Sequence, residues 1–152
     1  MSRSIRAALA LAVTVTMAGA CSEAPAPTET GPEAPEGITV TNARLMLPAV
    51  AGNPGAVYFD VANASDRNMV IRAVAVQGAE SAVMHTGEME ELSQVMVTPG
   101  ETVNFAPGER HVMAMDLADT VVAGGQAEVT VTFVGGDKVS VPADVRAAGD
   151  ER

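Results

Sequence analysis

The sequence predicts an all-β domain of the Greek-key barrel or sandwich class, built from eight or nine short strands. Three observations lead there. Short runs rich in Val, Thr and Ile recur from Ile38 onward, bounded by Gly, Pro, Asn and Asp. No part of that segment keeps a helical period for three turns. Turn-forming clusters stand between the runs: Asn53-Pro54-Gly55, Asn63-Ala64-Ser65-Asp66, Pro107-Gly108, Gly124-Gly125 and Gly135-Gly136-Asp137.

Taken in order, strands are expected at Ile38 to Leu45 and, past the Asn-Pro-Gly turn, at Ala56 to Asn63. After Asn63-Ala64-Ser65-Asp66 come Met69 to Val76 and Ser81 to His85, then Gln94 to Thr98 and Glu101 to Phe105. The Pro107-Gly108 turn leads into His111 to Leu117, and the paired glycines bound Ala127 to Val134 and Lys138 to Pro142. Val129-Thr130-Val131-Thr132-Phe133 alternates strictly, the signature of a strand with one buried and one wet face. With one Tyr, three Phe and no Trp, the core must be filled mainly by Val, Ala, Leu and Met.

The N-terminal end reads differently. Arg3 and Arg6 precede the apolar stretch Ala7 to Val13, which is too short to span a bilayer and is followed by small residues. Residues 1–20 are therefore expected to be a secretory signal and are excluded from the fold. Ala18-Gly19-Ala20-Cys21 resembles a bacterial lipobox, with Ala where Leu is more usual, and implies lipidation at Cys21. That is also the only cysteine, so an internal disulfide or a Cys-based metal or redox motif is unavailable. Ser22 stands where an Asp in many such proteins marks inner-membrane retention, so the resemblance points to the outer membrane. Residues 21–36, rich in Pro, Glu, Ala and Thr, read as a disordered, self-repelling tether. At a polyproline rise of ~3.1 Å per residue it would hold a domain ~40 Å from a bilayer. Residues 37–148 form the domain.

Charge excludes several partners. Loss of Arg3 and Arg6 with the leader leaves seven basic against nineteen acidic residues, a formal charge of about −12. Such a surface argues against nucleic acid and against adsorption to anionic lipid, leaving the lipid anchor as the membrane contact. The acids are scattered, without the spacing of a calcium loop.

The chemistry-bearing residues are the histidines and methionines. Histidine occurs twice, each time among methionines: Met84-His85 with Met89 and Met96 following, then His111-Val112-Met113-Ala114-Met115. Thioether sulfur and neutral imidazole suit a soft ion such as Cu(I) and suit Mg or Ca poorly. Side chains two apart in a strand share a face, so His111, Met113 and Met115 line one side. Met84 and His85 point to opposite faces, so only one of them can join the same site. Met89 lies past the turn Thr86-Gly87-Glu88, where it could return opposite His85. Composition and spacing alone also admit a structural reading, in which the methionines fill the core and the histidines satisfy local hydrogen bonds.

From about Ile38 to Arg146 the order of segments resembles the PCuAC family of periplasmic copper chaperones. A strand precedes Pro54-Gly55-Ala56-Val57-Tyr58-Phe59; then come Asn63-Ala64-Ser65, Met84-His85, and Pro99-Gly100-Glu101-Thr102-Val103. The stretch Val103-Asn104-Phe105-Ala106-Pro107-Gly108-Glu109-Arg110-His111-Val112-Met113 follows the family pattern closely. The family motif is His, roughly ten residues, Met, roughly twenty-one residues, then His-x-Met, on a cupredoxin-like β-barrel. The resemblance implies that His85, Met89, His111 and Met113 bind Cu(I), with Met96, Met84 and Met115 as further candidates. It implies delivery to a partner such as the copper site of a respiratory oxidase, or to another periplasmic copper carrier. Between His85 and His111 this chain is seven residues shorter than the motif, so two choices of middle ligand arise. Met96 keeps the spacing from His85; Met89 keeps the spacing to His111 and puts the shortening in a hairpin turn, where deletion is best tolerated. Met89 is the preferred reading. Glu109-Arg110 replace the aromatic or glycine pair that family members often carry before the second histidine.

Three rivals follow. A blue-copper electron carrier needs a Cys beside two His, and the sole Cys is committed to the anchor. An enzyme would need a triad spacing, HExxH or a glycine-rich phosphate loop, none of which the sequence contains; the chain is read as a non-enzyme, with Gly87 a turn former. A β-sandwich lipoprotein without metal, whose methionine strip is core or protein interface, is the remaining alternative.

Overall fold

Strand alternation organises the whole domain in the computed structural model, which describes residues 34–150. The expected leader, Cys21 and all but the last three residues of the expected tether lie outside the described residues. Nine strands follow one another: β1 Ile38–Met46, β2 Gly55–Asn63, β3 Met69–Val76, β4 Ser81–His85, β5 Val95–Val97, β6 Thr102–Phe105, β7 His111–Met115, β8 Gln126–Phe133 and β9 Lys138–Arg146. They make one curled sheet in the order β4-β7-β2-β1-β9-β8-β3-β5, with β6 also paired to β2. Pairing is antiparallel except where Arg44–Met46 runs parallel to Asp144–Arg146. The expected all-β, cupredoxin-like Greek-key architecture is present.

The concave side is dry. Val57, Phe59 and Val61 of β2, Val129, Val131 and Phe133 of β8, and Leu45, Ile71, Val97 and Val112 are fully buried in one cluster. Valine is the main filler, as the composition required, but all three phenylalanines stand at the centre. The Phe59 and Phe105 rings stack at 4.4 Å between centroids.

Most strand ends fall within one residue of expectation, and the two that differ by more do so for definite reasons. β9 runs through Pro142 to Arg146 instead of stopping there. Pro142 pairs with Glu128, whose backbone groups are turned the other way: its carbonyl accepts from the Gln77 N–H and its own N–H donates to the Gln77 side chain. No ladder bond is asked of Pro142, and β1 joins β9 only from Asp144, so the missing N–H leaves nothing unpaired. β7 stops at Met115 instead of Leu117, because Asp116 adopts a left-handed φ of 50° that breaks the ladder.

β6 and β7 are two halves of one long strand along β2. Phe59 pairs with Phe105 and Val57 with Val112, so residues 106–110 are a five-residue excursion from an otherwise continuous ladder. The excursion is closed by the Ala106 N–H donating to the Arg110 carbonyl (2.8 Å) and the Glu109 N–H donating to the Ala106 carbonyl (3.0 Å). It returns the chain to β2 at Val112.

Candidate metal centre

The β4–β7 ladder sets the site. Its register pairs Ser81 with Met115, Ala82 with Ala114, Val83 with Met113, Met84 with Val112 and His85 with His111. Val112 and Ala114 are fully buried and Met84 nearly so, so these three face the core. By the period of two, His111, Met113 and Met115 share the opposite, outer face with His85, Val83 and Ser81. Both histidines thus come from directly opposed positions on neighbouring strands. Their rings lie nearly parallel, 20° apart, with centroids separated by 6.0 Å.

Backbone carbonyls orient both rings in the same way. His85 Nδ1 lies 3.2 Å from the Val83 carbonyl, and His111 Nδ1 lies 3.0 Å from the Glu109 carbonyl. A carbonyl oxygen only accepts, so each Nδ1 must carry the proton and donate it. Each neutral ring then holds its free lone pair on Nε2, the tautomer suited to ligation through that nitrogen. His111 is buried and His85 half-buried, so the pair sits at the surface with its second side in protein.

Met89 stands in the turn that follows His85. The turn is closed by the Thr86 N–H donating to the Glu90 carbonyl at 2.8 Å and the Met89 N–H donating to the Thr86 carbonyl at 3.1 Å. Thr86 Oγ1 accepts further bonds from the Glu88 and Glu90 N–H groups. The chain then returns beside His85 in a single bridge to Glu91, while the Leu92 N–H donates to the Met84 carbonyl. Met89 itself has φ +67°, a left-handed conformation that an unbranched L side chain rarely holds, and its side chain is 56% exposed.

The remaining candidates separate. Met113 is half-buried on the outer face, flanked by Val83 of β4 and Ala56 of β2. Met115 lies two residues further from the histidines on that face. Met84 belongs to the core, opposite Val112, and is directed away from the pair. Met96 is exposed on β5, where it pairs with Val70 of β3 and not with either strand of the histidine ladder. Among the described residues no three His, Cys, Asp or Glu side chains gather in a way that could hold a metal.

Three contributors escape a reading of the sequence. The Val83 and Glu109 carbonyls that fix the imidazoles are backbone groups, which no residue type announces. Gly87 reads as a turn former, yet φ at Gly87 is not left-handed; what needs glycine is close approach to the Gly108 carbonyl.

Residues 38–145 match the family model of LpqE-like lipoproteins. A relative from Leifsonia xyli subsp. xyli, also described as a lipoprotein, is 24% identical over 153 residues, covering 95% of this chain and 91% of its own. Among solved structures, the copper-bound PCuAC domain from PmoF2 superposes with a TM-score of 0.65 at 25% identity, covering 73% of this chain and 93% of that one. The apo PCuAC domain from PmoF1 gives 0.66 at 25% identity, covering 73% and 94%. The Cu(I) form of DR1885 from Deinococcus radiodurans gives 0.58 at 22% identity, covering 82% and 84%. The PCuAC resemblance carried by the sequence motifs is thus matched by likeness of fold.

Proposed function

The chain belongs to the LpqE-like family of lipoproteins and has the PCuAC fold, and on that premise we propose that it is a copper carrier which holds one Cu(I) through His85 Nε2, His111 Nε2, Met113 and Met89. The observation that carries the reading is the stacked pair of histidines, each with Nδ1–H committed to a backbone carbonyl. Both rings are prepared as Nε2 ligands before any metal arrives. Copper-bound relatives of the same fold support the choice of metal. Met89 is favoured over Met96 because it belongs to the turn directly after His85, whereas Met96 is paired into β3.

The ligand chemistry suits a carrier. Thioethers do not form disulfides, so they remain competent for Cu(I) in an oxidising compartment where thiolates would be lost. Two neutral nitrogens and two neutral sulfurs add no charge to the cation and hold it less firmly than thiolates, which favours hand-over. We assign residues 1–20 to a leader, Cys21 to lipidation, residues 21–36 to the tether and residues 37–148 to the copper domain. The protein would work in the periplasm, anchored to the outer membrane, passing copper to a respiratory oxidase subunit or to another periplasmic carrier, and would catalyse no reaction.

An anaerobic Cu(I) titration of residues 22–152 against a chromophoric chelator tests this. One equivalent should bind, and His111→Ala with Met113→Leu should weaken binding by at least ~100-fold, more than is typical for loss of an outer-shell partner. Met113→Leu nearly conserves volume, so the fold should persist. A folded wild-type chain that ignores Cu(I) would make the methionine strip an interface and the protein a structural lipoprotein.

A further inference from the structure

We propose that Gly87 is a positioning residue for the metal, acting through its contact with Gly108 to hold the Met89 turn over the histidine pair. The inference rests on the copper reading above. A Cβ built at position 87 would overlap the Gly108 carbonyl oxygen and lie 3.1 Å from the Gly108 carbonyl carbon and 3.5 Å from Glu109 Cα. The two backbones therefore touch, and only glycine allows it. Because φ at Gly87 is not left-handed, the requirement at this position is contact and not conformation.

The contact joins the two segments that carry the ligands. On one side is the turn 86–90 with Met89; on the other is the excursion 106–110, whose Glu109 carbonyl takes the Nδ1 proton of His111. They differ in firmness. The excursion is closed by two backbone bonds and tied at both ends into the β2 ladder, at Phe105 and Val112. The Met89 turn is closed by two backbone bonds and the Thr86 hydroxyl, but it extends from β4, which ends the strand order, and its return is tied only to β4 itself, by the His85–Glu91 bridge and the Leu92 N–H on the Met84 carbonyl. If the backbones are forced apart, the Met89 turn must yield. The left-handed φ of Met89 points the same way, since a strained conformation persists where its surroundings over-determine it.

The experiment is a double-mutant cycle on residues 22–152, with Cu(I) affinity and the count of sulfur ligands by X-ray absorption as readouts. Gly87→Ala should lower affinity about tenfold and remove one Cu–S scatterer, as Met89→Leu should, while both Cu–N contacts stay. In the Met89→Leu background Gly87→Ala should add nothing, because the residue it positions is gone. Gly108→Ala is the control: its Cβ would point into open space and its cost is the left-handed φ of 79°, so it should lower stability and leave the sulfur count intact. If Gly87→Ala does not fold, Thr86→Val, which removes the acceptor for the Glu88 and Glu90 N–H groups, should show the same dependence on Met89. Equal losses in both backgrounds, or an unchanged sulfur count, would overturn the positioning role while leaving the copper site standing. A wild-type chain that binds no Cu(I) would remove both.

Discussion

An imidazole ligates a soft cation through a nitrogen without a proton, and here two main-chain oxygens decide which nitrogen that is. Val83 and Glu109 do for His85 and His111 what a carboxylate does in many metal sites, without adding charge. Met89 is the costly residue: a left-handed φ on a non-glycine residue is unfavourable by about 1–2 kcal/mol. Met89→Gly should relieve that strain but give back ~0.5–1 kcal/mol of backbone entropy, so stability should rise by no more than ~1.5 kcal/mol. Cu(I) affinity should nonetheless fall about tenfold, and unchanged affinity in that variant would transfer the fourth ligand to another group. A separate residue carries a small dependence on pH. Hydrogen bonds from the Thr98 backbone N–H and then from its hydroxyl, both 2.8 Å from Glu101 Oε2, hold this carboxyl below its ordinary value of 4.5. A depressed carboxyl contributes stability that is present above its ordinary value and lost as pH falls through the folded one. Glu101→Gln should therefore melt slightly below wild type at pH 7, with the gap closing as pH drops below 4.5, as differential scanning calorimetry across pH would register.

Among the elements, the closed end of the barrel depends on one polar side chain. Asn63, nearly fully buried at the end of β2, donates through Nδ2 to the Arg67 carbonyl (2.8 Å) and the Val97 carbonyl (2.9 Å). Its Oδ1 accepts from the Ser65 N–H and hydroxyl. One side chain thus ties the β2–β3 turn to β5, and no buried side-chain N or O among the described residues lacks a partner. Asn63→Ala should cost about 2–4 kcal/mol by orphaning buried carbonyls, read as a lower urea midpoint with unchanged slope. Asn63-Ala64-Ser65 reads in the sequence as a turn, and the turn is there; its reach to Val97, thirty-four residues on, is a tertiary fact that no local pattern contains. The outer-face triplet His111, Met113, Met115 is legible because a period of two needs only a strand. The opposition of His85 to His111 is not, because register between strands distant in sequence is set by the excursion at 106–110 and by the core-facing Met84, Val112 and Ala114. Pro142 misleads in the other direction: a proline ends a strand only where its N–H would be used, and the Glu128 groups face β3.

At the scale of the molecule, the core and the proposed copper ligands lie on opposite sides of the same sheet. Val112 and Ala114 bury themselves among Phe59, Phe105 and Phe133, while His111 and Met113 on the same strand face outward. The fold is therefore expected to stand without metal, unlike small domains in which ligand binding is the folding energy. Copper should act on stability only by mass action, through its preference for the folded state. A chelator-treated chain should keep its β-sheet circular dichroism and unfold in one cooperative step. Cu(I) at a hundredfold excess over its dissociation constant should then add ~2.7 kcal/mol, raising the midpoint by on the order of 10 °C for a domain of this size. His111→Ala with Met113→Leu should lower the metal-free transition by about 1–3 kcal/mol, for the lost His111 bond to the Glu109 carbonyl, keep it cooperative, and lose the copper-induced rise. Collapse of the wild-type transition on chelation would mean that the outer face helps to hold the barrel together. A carrier needs the other arrangement, in which the same folded surface is presented with copper and without it, so that giving up the ion leaves the protein ready for the next one.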